Sequence, residues 1–240
     1  MLAATLLVAL AAPLAPLAEE EAATPSNALT ELLNEIESTQ EAFWTKFQAA
    51  ETEEAKEALF AEYPDPAKYA GRFMEIATAN PGTDAERDAL IWVAQNVRGP
   101  QKTTALEGLL GSYIESKALS GICSGLRYEP GELSERFLRA VLEKSPHRAV
   151  RGQAIYNLAH VTSDQAESKK LFDTVVADYG DLEHFKGTLA DAAKGDIFEV
   201  ENLGIGMVAP EIEGDDIDGV SFKLSDYRGR VVVLDFWGDW

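Results

Sequence analysis

Apolar residues recur at helical spacing over most of this chain, from Ser26 to about Val200. Each stripe places Leu, Ile, Val or Phe three or four residues apart, which is the period of one face of an α-helix. Turns that contain proline and glycine, at Gly99-Pro100 and Pro130-Gly131, separate the stripes. Because no long β-rich run interrupts the series, the sequence predicts a mainly α-helical domain over residues 27–200, built from helical hairpins.

Helix starts are also marked in the sequence. Asp65-Pro66 and Ser145-Pro146 each place a capping side chain before a proline that suits the first helical turn. Thr83-Asp84-Ala85-Glu86 has the pattern of a capping box. The predicted helices at 147–161 and 165–179 together look like one tetratricopeptide unit, but no second copy follows at a fixed period. The helical domain is therefore predicted to be repeat-like at most.

The character of the sequence changes near Leu203. Helical spacing ends there, and glycine and proline become frequent. Asp218-Gly219 lies between apolar residues, which is a strong short-range signal for a β-hairpin. The polar stretch 224–230 predicts a turn or a single helical turn, and the apolar run 231–237 predicts a strand covered on both faces. A domain boundary is expected near residue 203.

Four elements of the segment 204–240 occur in a recognisable order. They are a G-x-x-A-P element at 206–210, the Asp218-Gly219 hairpin, an L-S-D-Y-x-G turn at 224–229 and an apolar strand that ends in F-W-x-x-W at 236–240. Together they resemble the N-terminal part of the redoxin (AhpC/TSA) group of the thioredoxin-like superfamily, and favour its TlpA/ResA-type thiol-disulfide oxidoreductases. The resemblance implies the start of an α/β thioredoxin-like fold, truncated at Trp240. The helical region resembles the extension that precedes the redoxin domain in some large exported proteins of this family.

The resemblance also implies a chemistry. In TlpA-type members the F-W-x-x-W strand runs into Cys-x-x-Cys at the start of a helix, so the redox cysteines are expected directly after Trp240 and no catalytic residue is expected within the chain. A helix N-terminus lowers the pKa of a thiol, and the second cysteine resolves the mixed disulfide. Peroxiredoxin members have no vicinal partner for their cysteine, so the choice between reductase and peroxidase stays open. The residues expected near the site are Asp235, Phe236, Trp237 and Trp240.

Two of these side chains have a second interpretation. Asp235 would accept a proton beside a redox cysteine if it is buried, and would otherwise face polar neighbours. Trp237 either shapes the pocket around the cysteines or packs in the core. For the complete protein, the resemblance implies antioxidant activity and a role in cell redox homeostasis. Its partners would be protein dithiols and disulfides, or peroxide, and it implies no cofactor.

The composition limits other functions. The chain has 41 acidic and 21 basic residues, which give a net charge of −20 and make nucleic-acid binding a poor hypothesis. Cys123 is the one cysteine, so no intrachain disulfide is possible, and it is expected to be a small buried side chain. The three histidines do not cluster with acidic residues at ligand spacing, so no metal site is predicted. His147 and a glutamate-rich stretch, Glu51 to Glu57, are expected at the surface.

The first residues predict export. An apolar run from Met1 to Ala18 is too short, and too broken by Pro13 and Pro16, to span a membrane, and it resembles the core of a secretory signal. Residues 1–23 are therefore expected to be a signal peptide or leader of a protein that is exported, periplasmic or associated with the cell envelope. No Lys or Arg precedes the run, and a start further upstream would supply one. The alternative is a low-complexity leader with no targeting role.

Two functions from different classes are compatible with these observations. The first is that the chain is a fragment of an exported thiol-disulfide oxidoreductase with a helical N-terminal domain. The second is a helical interaction module that binds a protein partner between its helices, with a redoxin remnant that has no catalytic role. The sequence contains no phosphate-binding loop and no paired-carboxylate motif that would support another class of enzyme.

Overall fold

A computed structural model describes residues 27–185 and 187–236 of the chain. The contacts divide the chain into two compact units, Met1–Ala89 and Leu90–Trp240. Helices account for most of the described residues, and the strands are short. The expectation of a mainly helical protein is therefore confirmed, whereas a thioredoxin-like start at its C-terminal end is not confirmed by the structure. The boundary expected near residue 203 stays a prediction.

The first unit contains α1 (Asn27–Ala49), α2 (Glu53–Phe60), α3 (Ala67–Ala79) and the start of α4 (Asp84–Asn96). Most of the apolar stripe expected on α1 is buried, since Leu29, Leu32, Ile36 and Phe43 lie in the core, whereas Leu33 is 36% exposed. α2 buries no residue, and Thr52 caps its first turn. The glutamates at 51, 53, 54 and 57 are exposed, as expected.

The predicted helix starts are confirmed in most cases. Asp65 Oδ1 accepts a hydrogen bond from the amide of Ala67, which is the N-terminal residue of α3. Thr83 Oγ1 accepts from the amide of Glu86, but the Glu86 carboxylate accepts from Gly82, one residue before the position of a capping box. At Ser145-Pro146 the helix begins at Arg148 and not at the proline itself, and Ser145 is extended, as residues before proline prefer to be.

The second unit continues with α5 (Pro100–Ser112), a 3₁₀ turn at Lys117–Leu119, α6 (Ser120–Leu126), α7 (Glu132–Lys144), α8 (Arg148–Val161) and α9 (Gln165–Asp178). A two-stranded hairpin, β1 (Glu183–His184) and β2 (Gly187–Thr188), then leads into α10 (Leu189–Asn202). α8 is the central element, because it packs on α6, α7 and α9 and is buried over most of its surface. The pair predicted at 147–161 and 165–179 is thus confirmed within one residue at each end.

The β1–β2 hairpin is a feature that the sequence did not predict. Each of its strands has two residues, which is too short to give an alternating apolar pattern. Its end is fixed to α10 by a capping box, in which Thr188 Oγ1 accepts from the Asp191 amide and the Asp191 carboxylate accepts from the Thr188 amide. The hairpin therefore belongs structurally to the start of α10.

The C-terminal segment forms the predicted hairpin but not the predicted strand. β3 (Glu213–Asp215) and β4 (Ser221–Lys223) pair antiparallel, and a 3₁₀ turn follows at Leu224–Tyr227. Residues 231–236 pair with no strand, and Trp237 lies outside the described residues. Within the described part of the chain, no residue after Ala193 is buried and no helix is long and apolar enough to cross a membrane.

A matched pair of glycine substitutions tests the packing between α9 and α10. A Cβ added at Gly180 would lie 2.6 Å from the carbonyl oxygen of Val176 and 2.9 Å from the Cβ of Ala190. Gly180→Ala is therefore expected to lower the free energy of unfolding by about 1–3 kcal/mol. Gly195 in α10 has open space at the same position, so Gly195→Ala is expected to raise it by about 0.5–1 kcal/mol. Urea unfolding of both variants measures the difference, and equal stabilities would contradict this packing.

Candidate functional site

The hairpin of the C-terminal segment is fixed by its turn. Asp216 Oδ1 accepts hydrogen bonds from the amides of Asp218 and Val220, both at 2.9 Å. Gly219 has a φ of 75°, in the left-handed region that glycine enters without a steric penalty. The Asp-Gly signal in the sequence therefore has a direct structural cause.

An apolar surface lies beside this hairpin. Val232 and Leu234 are 42% and 49% exposed, whereas Val231 and Val233, which alternate with them, are 97% and 87% exposed. A shallow apolar pocket is lined by residues from all parts of the segment, namely Ile212, Phe222, Leu224, Tyr227, Val232 and Leu234. The run 231–236 thus has one face against its own segment and one face toward solvent.

The residues expected near a redox site lie in or after this run. Asp235 and Phe236 are both exposed, and Trp237 and Trp240 lie outside the described residues. Asp235 is solvent-exposed in the described chain, and its role as a buried proton acceptor stays a prediction. The proximity of all four residues to a redox site stays a prediction.

Cys123 lies in α6 and is fully buried. Burial raises the pKa of its thiol to about 12, with a smaller opposing effect from a backbone hydrogen bond. At neutral pH it is a protonated thiol without access to solvent, so the expectation of a small buried side chain is confirmed.

A half-buried group of titratable side chains in the second unit was missed by the sequence analysis. We call these residues the polar cluster: Arg127, Tyr156, His160, His184 and Asp196. Arg127 follows α6, Tyr156 and His160 lie one turn apart on α8, His184 lies on β1 and Asp196 lies on α10. His147, the remaining histidine, is exposed at the start of α8, as expected.

Asp196 is the hydrogen-bond acceptor of the polar cluster. Its Oδ2 accepts from the Tyr156 hydroxyl at 2.8 Å, and His160 Nε2 lies 3.3 Å from the same oxygen. His160 Nε2 is buried and has no hydrogen-bond partner among the described residues, so its approach to Asp196 is a close polar contact and not a hydrogen bond. The ring of His184 is 5.0 Å from that of Tyr156 and meets it edge-on.

These contacts shift the pKa values of three members. Burial, the largest effect, and the hydrogen bond to Asp196 raise the pKa of Tyr156 to about 12. Burial tends to raise the pKa of Asp196, but the contacts from His160 and Tyr156 outweigh it and hold that pKa below its usual value. The pKa of His184 is lowered, first by burial and then by the positive charge of Arg127.

The chemistry of the polar cluster is that of proton binding. It contains no cysteine or serine nucleophile, and no group of three or more His, Cys, Asp or Glu residues in the described part of the chain could hold a metal ion. Tyr156 and His160 are four residues apart, which places them on one helix face and was the one local signal available. The other three members come from distant positions that only folding brings together.

A substitution of Tyr156 tests the hydrogen bond to Asp196. Tyr156→Phe removes the donor hydroxyl and is expected to lower the free energy of unfolding by about 1–2 kcal/mol at neutral pH. The pKa of Asp196 is lowered in the folded state. The ionised Asp196 carboxylate therefore contributes to the free energy of unfolding above its ordinary pKa of 3.8, and this contribution is lost as the pH falls through the folded-state pKa. The difference from the wild type should therefore shrink in acid. Urea unfolding across this range measures it, and Tyr128→Phe, at a 70% exposed ring, is the control.

Two curated proteins match a short stretch of the chain. Over 38 residues it is 42% identical to the thiol-disulfide oxidoreductase ResA of Geobacillus thermodenitrificans (strain NG80-2). It is 45% identical over 38 residues to the thiol-disulfide oxidoreductase ResA of Geobacillus kaustophilus (strain HTA426). Each match covers 16% of this chain and 22% of the relative, so the chain spans about a fifth of the length of the relatives it matches.

No family model matches the chain, and no solved structure matches it. The matched length is about that of the segment 204–240, which carries the four sequence elements described above. These similarities indicate a thioredoxin-like relationship over one short part of the chain, and they establish nothing finer than that.

Proposed function

We propose that this chain is part of an exported thiol-disulfide oxidoreductase, with the segment from Gly204 as the beginning of its redox domain. The observation that carries the proposal is the 42–45% identity to two ResA proteins over 38 residues. The ordered motifs in residues 206–240 agree with it. The helical residues 27–200 are an extension that precedes the redox domain.

The local structure of the segment is compatible with this role. Lys223 N donates to the Asp226 carboxylate, Ser225 N donates to Glu211 Oε1, and Leu224 N donates to the Ile212 carbonyl oxygen, each at 2.9 Å. These bonds hold the 3₁₀ turn against the residues that precede the hairpin. The run 231–236 follows this turn, and its apolar surface is exposed on one face. Such a run is suited to the interior of a larger sheet, where both faces are covered.

The proposed chemistry resides in a Cys-x-x-Cys pair that follows Trp240. The first thiolate attacks one sulfur of a protein disulfide and releases the other sulfur as a thiolate. The second cysteine then attacks the mixed disulfide, which releases the reduced partner and leaves the pair oxidised. The partners of the reaction are therefore protein dithiols and disulfides. Peroxide would be the substrate if a single cysteine takes the place of the pair.

The continuation of the gene tests this proposal. The codons after Trp240 are expected to encode Cys-x-x-Cys, and the complete product is expected to reduce insulin disulfides in a turbidity assay. Replacing the first of those cysteines with serine should abolish turnover, because the attacking thiolate is lost. Cys123→Ala is the matched control and should leave turnover unchanged, since that thiol is buried and protonated.

Other results would contradict the proposal. An unrelated continuation or a stop codon after Trp240 would remove its basis, as would insulin reduction by the 240-residue chain alone. Turnover of hydrogen peroxide in place of insulin would assign the protein to the peroxidase branch.

Export is a separate part of the proposal, and it rests on the apolar run before Glu19. A reporter phosphatase that is active only outside the cytoplasm, fused after Thr30 and expressed from the start of the gene, is expected to be active. A matched fusion with Leu6→Arg and Val8→Arg should be inactive, because charges in the apolar core prevent its insertion. Equal activity of the two fusions would show that the run has no targeting role.

A further inference from the structure

An aromatic patch lies in the first unit, where α1 meets α2. Neighbouring rings in it have their centroids between 5.0 and 6.3 Å apart. Its members are Phe43, Trp44, Phe47, Phe60 and Tyr63. Phe43 forms the base and is 5% exposed, whereas Phe60 and Tyr63 are each 40% exposed. The patch therefore presents aromatic surface to solvent.

Packing between α1 and α2 accounts for part of the patch. Phe60 of α2 meets Phe47 of α1 with 5.1 Å between ring centroids, and Tyr63, just after α2, meets Phe43 edge-on at 5.0 Å. α2 has eight residues and buries none of them, so these ring contacts attach it to α1. The exposed parts of Phe60 and Tyr63 remain once that packing is made. Adjacent exposed apolar groups, unlike single ones, are typical of interaction sites.

Carboxylates lie beside the two exposed rings. Glu57 precedes Phe60 by three residues on α2, which places both side chains on one helix face. Glu62 directly precedes Tyr63. Both glutamates are exposed, and neither forms an ion pair in the part of the chain that the structure describes. These negative charges are therefore available to a cation from another molecule.

The sequence around the patch has a local excess of negative charge. Residues 51–65 contain six acidic residues and one basic residue, Lys56, which pairs with Glu53 at 2.8 Å. The ratio in the whole chain is 41 to 21, so the excess exceeds what the composition alone gives. Lys46 on α1 adds a positive charge beside Phe47, and the balance stays negative. A partner that covers the patch must supply positive charge, because buried carboxylates without a partner are costly.

We propose that the aromatic patch is the docking surface for a cationic amphipathic segment of a partner protein, one that combines apolar residues with lysine or arginine. The apolar residues of that segment cover the exposed parts of Phe60 and Tyr63, and its cations reach Glu57 and Glu62. The faces of aromatic rings also attract cations, so the apolar and the charged parts of the surface select the same partner. This inference concerns the first unit and does not depend on the proposed redox function.

Two other occupants carry the wrong charge. A second copy of the chain, paired symmetrically through the patch, would bring its own Glu57 and Glu62 to the contact. The leader of the chain has glutamate at positions 19, 20 and 21, and neither lysine nor arginine before residue 27. Each of these occupants would place like charges against the border of the patch, which lowers affinity.

Calorimetric titration of the 240-residue chain with two synthetic peptides tests the proposal. One peptide is an amphipathic helix of leucine and lysine, and the other has glutamate in place of each lysine. At about 150 mM salt, which screens charges more than ~8 Å apart, the lysine peptide is expected to bind and the glutamate peptide is not. Nuclear magnetic resonance should locate the shifted amides within residues 43–63. No binding of the lysine peptide, equal binding of both peptides, or shifts elsewhere would overturn the proposal.

Charge variants separate the patch from the general charge of the chain. Glu57→Gln combined with Glu62→Gln is expected to weaken binding of the lysine peptide about three- to tenfold, because two attractive charges are lost. Glu143→Gln combined with Glu199→Gln removes two exposed carboxylates of the second unit and is the control with the same net charge. Its affinity should stay within about twofold of the wild type. Equal weakening by the two variants would assign the binding to the net charge of −20 and contradict the proposal.

A ring variant tests the aromatic part of the surface. Phe60→Ala is expected to weaken binding of the lysine peptide about tenfold, because an aromatic anchor is lost. Sedimentation of the wild-type chain under the same conditions should show a monomer. A dimer that Phe60→Ala dissociates would show that a second copy occupies the patch, and would overturn the proposal. If Phe60→Ala does not fold, the two charge variants decide.

Discussion

The enclosure of α8 is the interaction on which the second unit depends. Nine of its residues are buried, and they extend around the helix instead of along one stripe. A helix of this kind is stable only when other helices cover it, and α6, α7 and α9 do so. Gly152 allows the chain after α9 to approach closely, because Leu182, Tyr179 and Leu189 occupy the space that a side chain would need. Ser168 adds a buried hydrogen bond from α9 to the Ala159 carbonyl oxygen.

Because α8 is enclosed, its polar side chains must find partners inside the fold. Tyr156 donates to Asp196 of α10, and Asn157 donates to the Gln153 carbonyl oxygen one turn earlier. At the edge of a core, burial and neighbouring charges shift the pKa of a titratable side chain toward the protonation state that the surroundings stabilise. Contacts with His160 and Tyr156 hold the pKa of Asp196 below its usual value, and burial, followed by the charge of Arg127, lowers the pKa of His184.

The sequence predicted the helical region well, since the relevant signals are local. The apolar stripes, Asp65 as a cap and the turn at Pro130-Gly131 each act within a few residues. The Asp-Gly hairpin was predicted for the same reason, because the Asp216 side chain and the φ of Gly219 fix that turn locally. The strand at 231–237 was not confirmed, because a strand requires a neighbour with which to pair. Likewise, the polar cluster could not be predicted from positions as distant as Arg127 and Asp196.

The sequence by itself determined where the helices lie, where the turns fall and which segment shows thioredoxin-like similarity. Each of these properties depends on residue type and on spacing within one or two turns of the chain. Tertiary structure alone decided which helix is central, where the β1–β2 hairpin rests and which titratable groups meet. Those outcomes depend on packing between residues that are far apart in the sequence. Burial and neighbouring charges, which shift the pKa values of His184 and Asp196, exist only once that packing has formed.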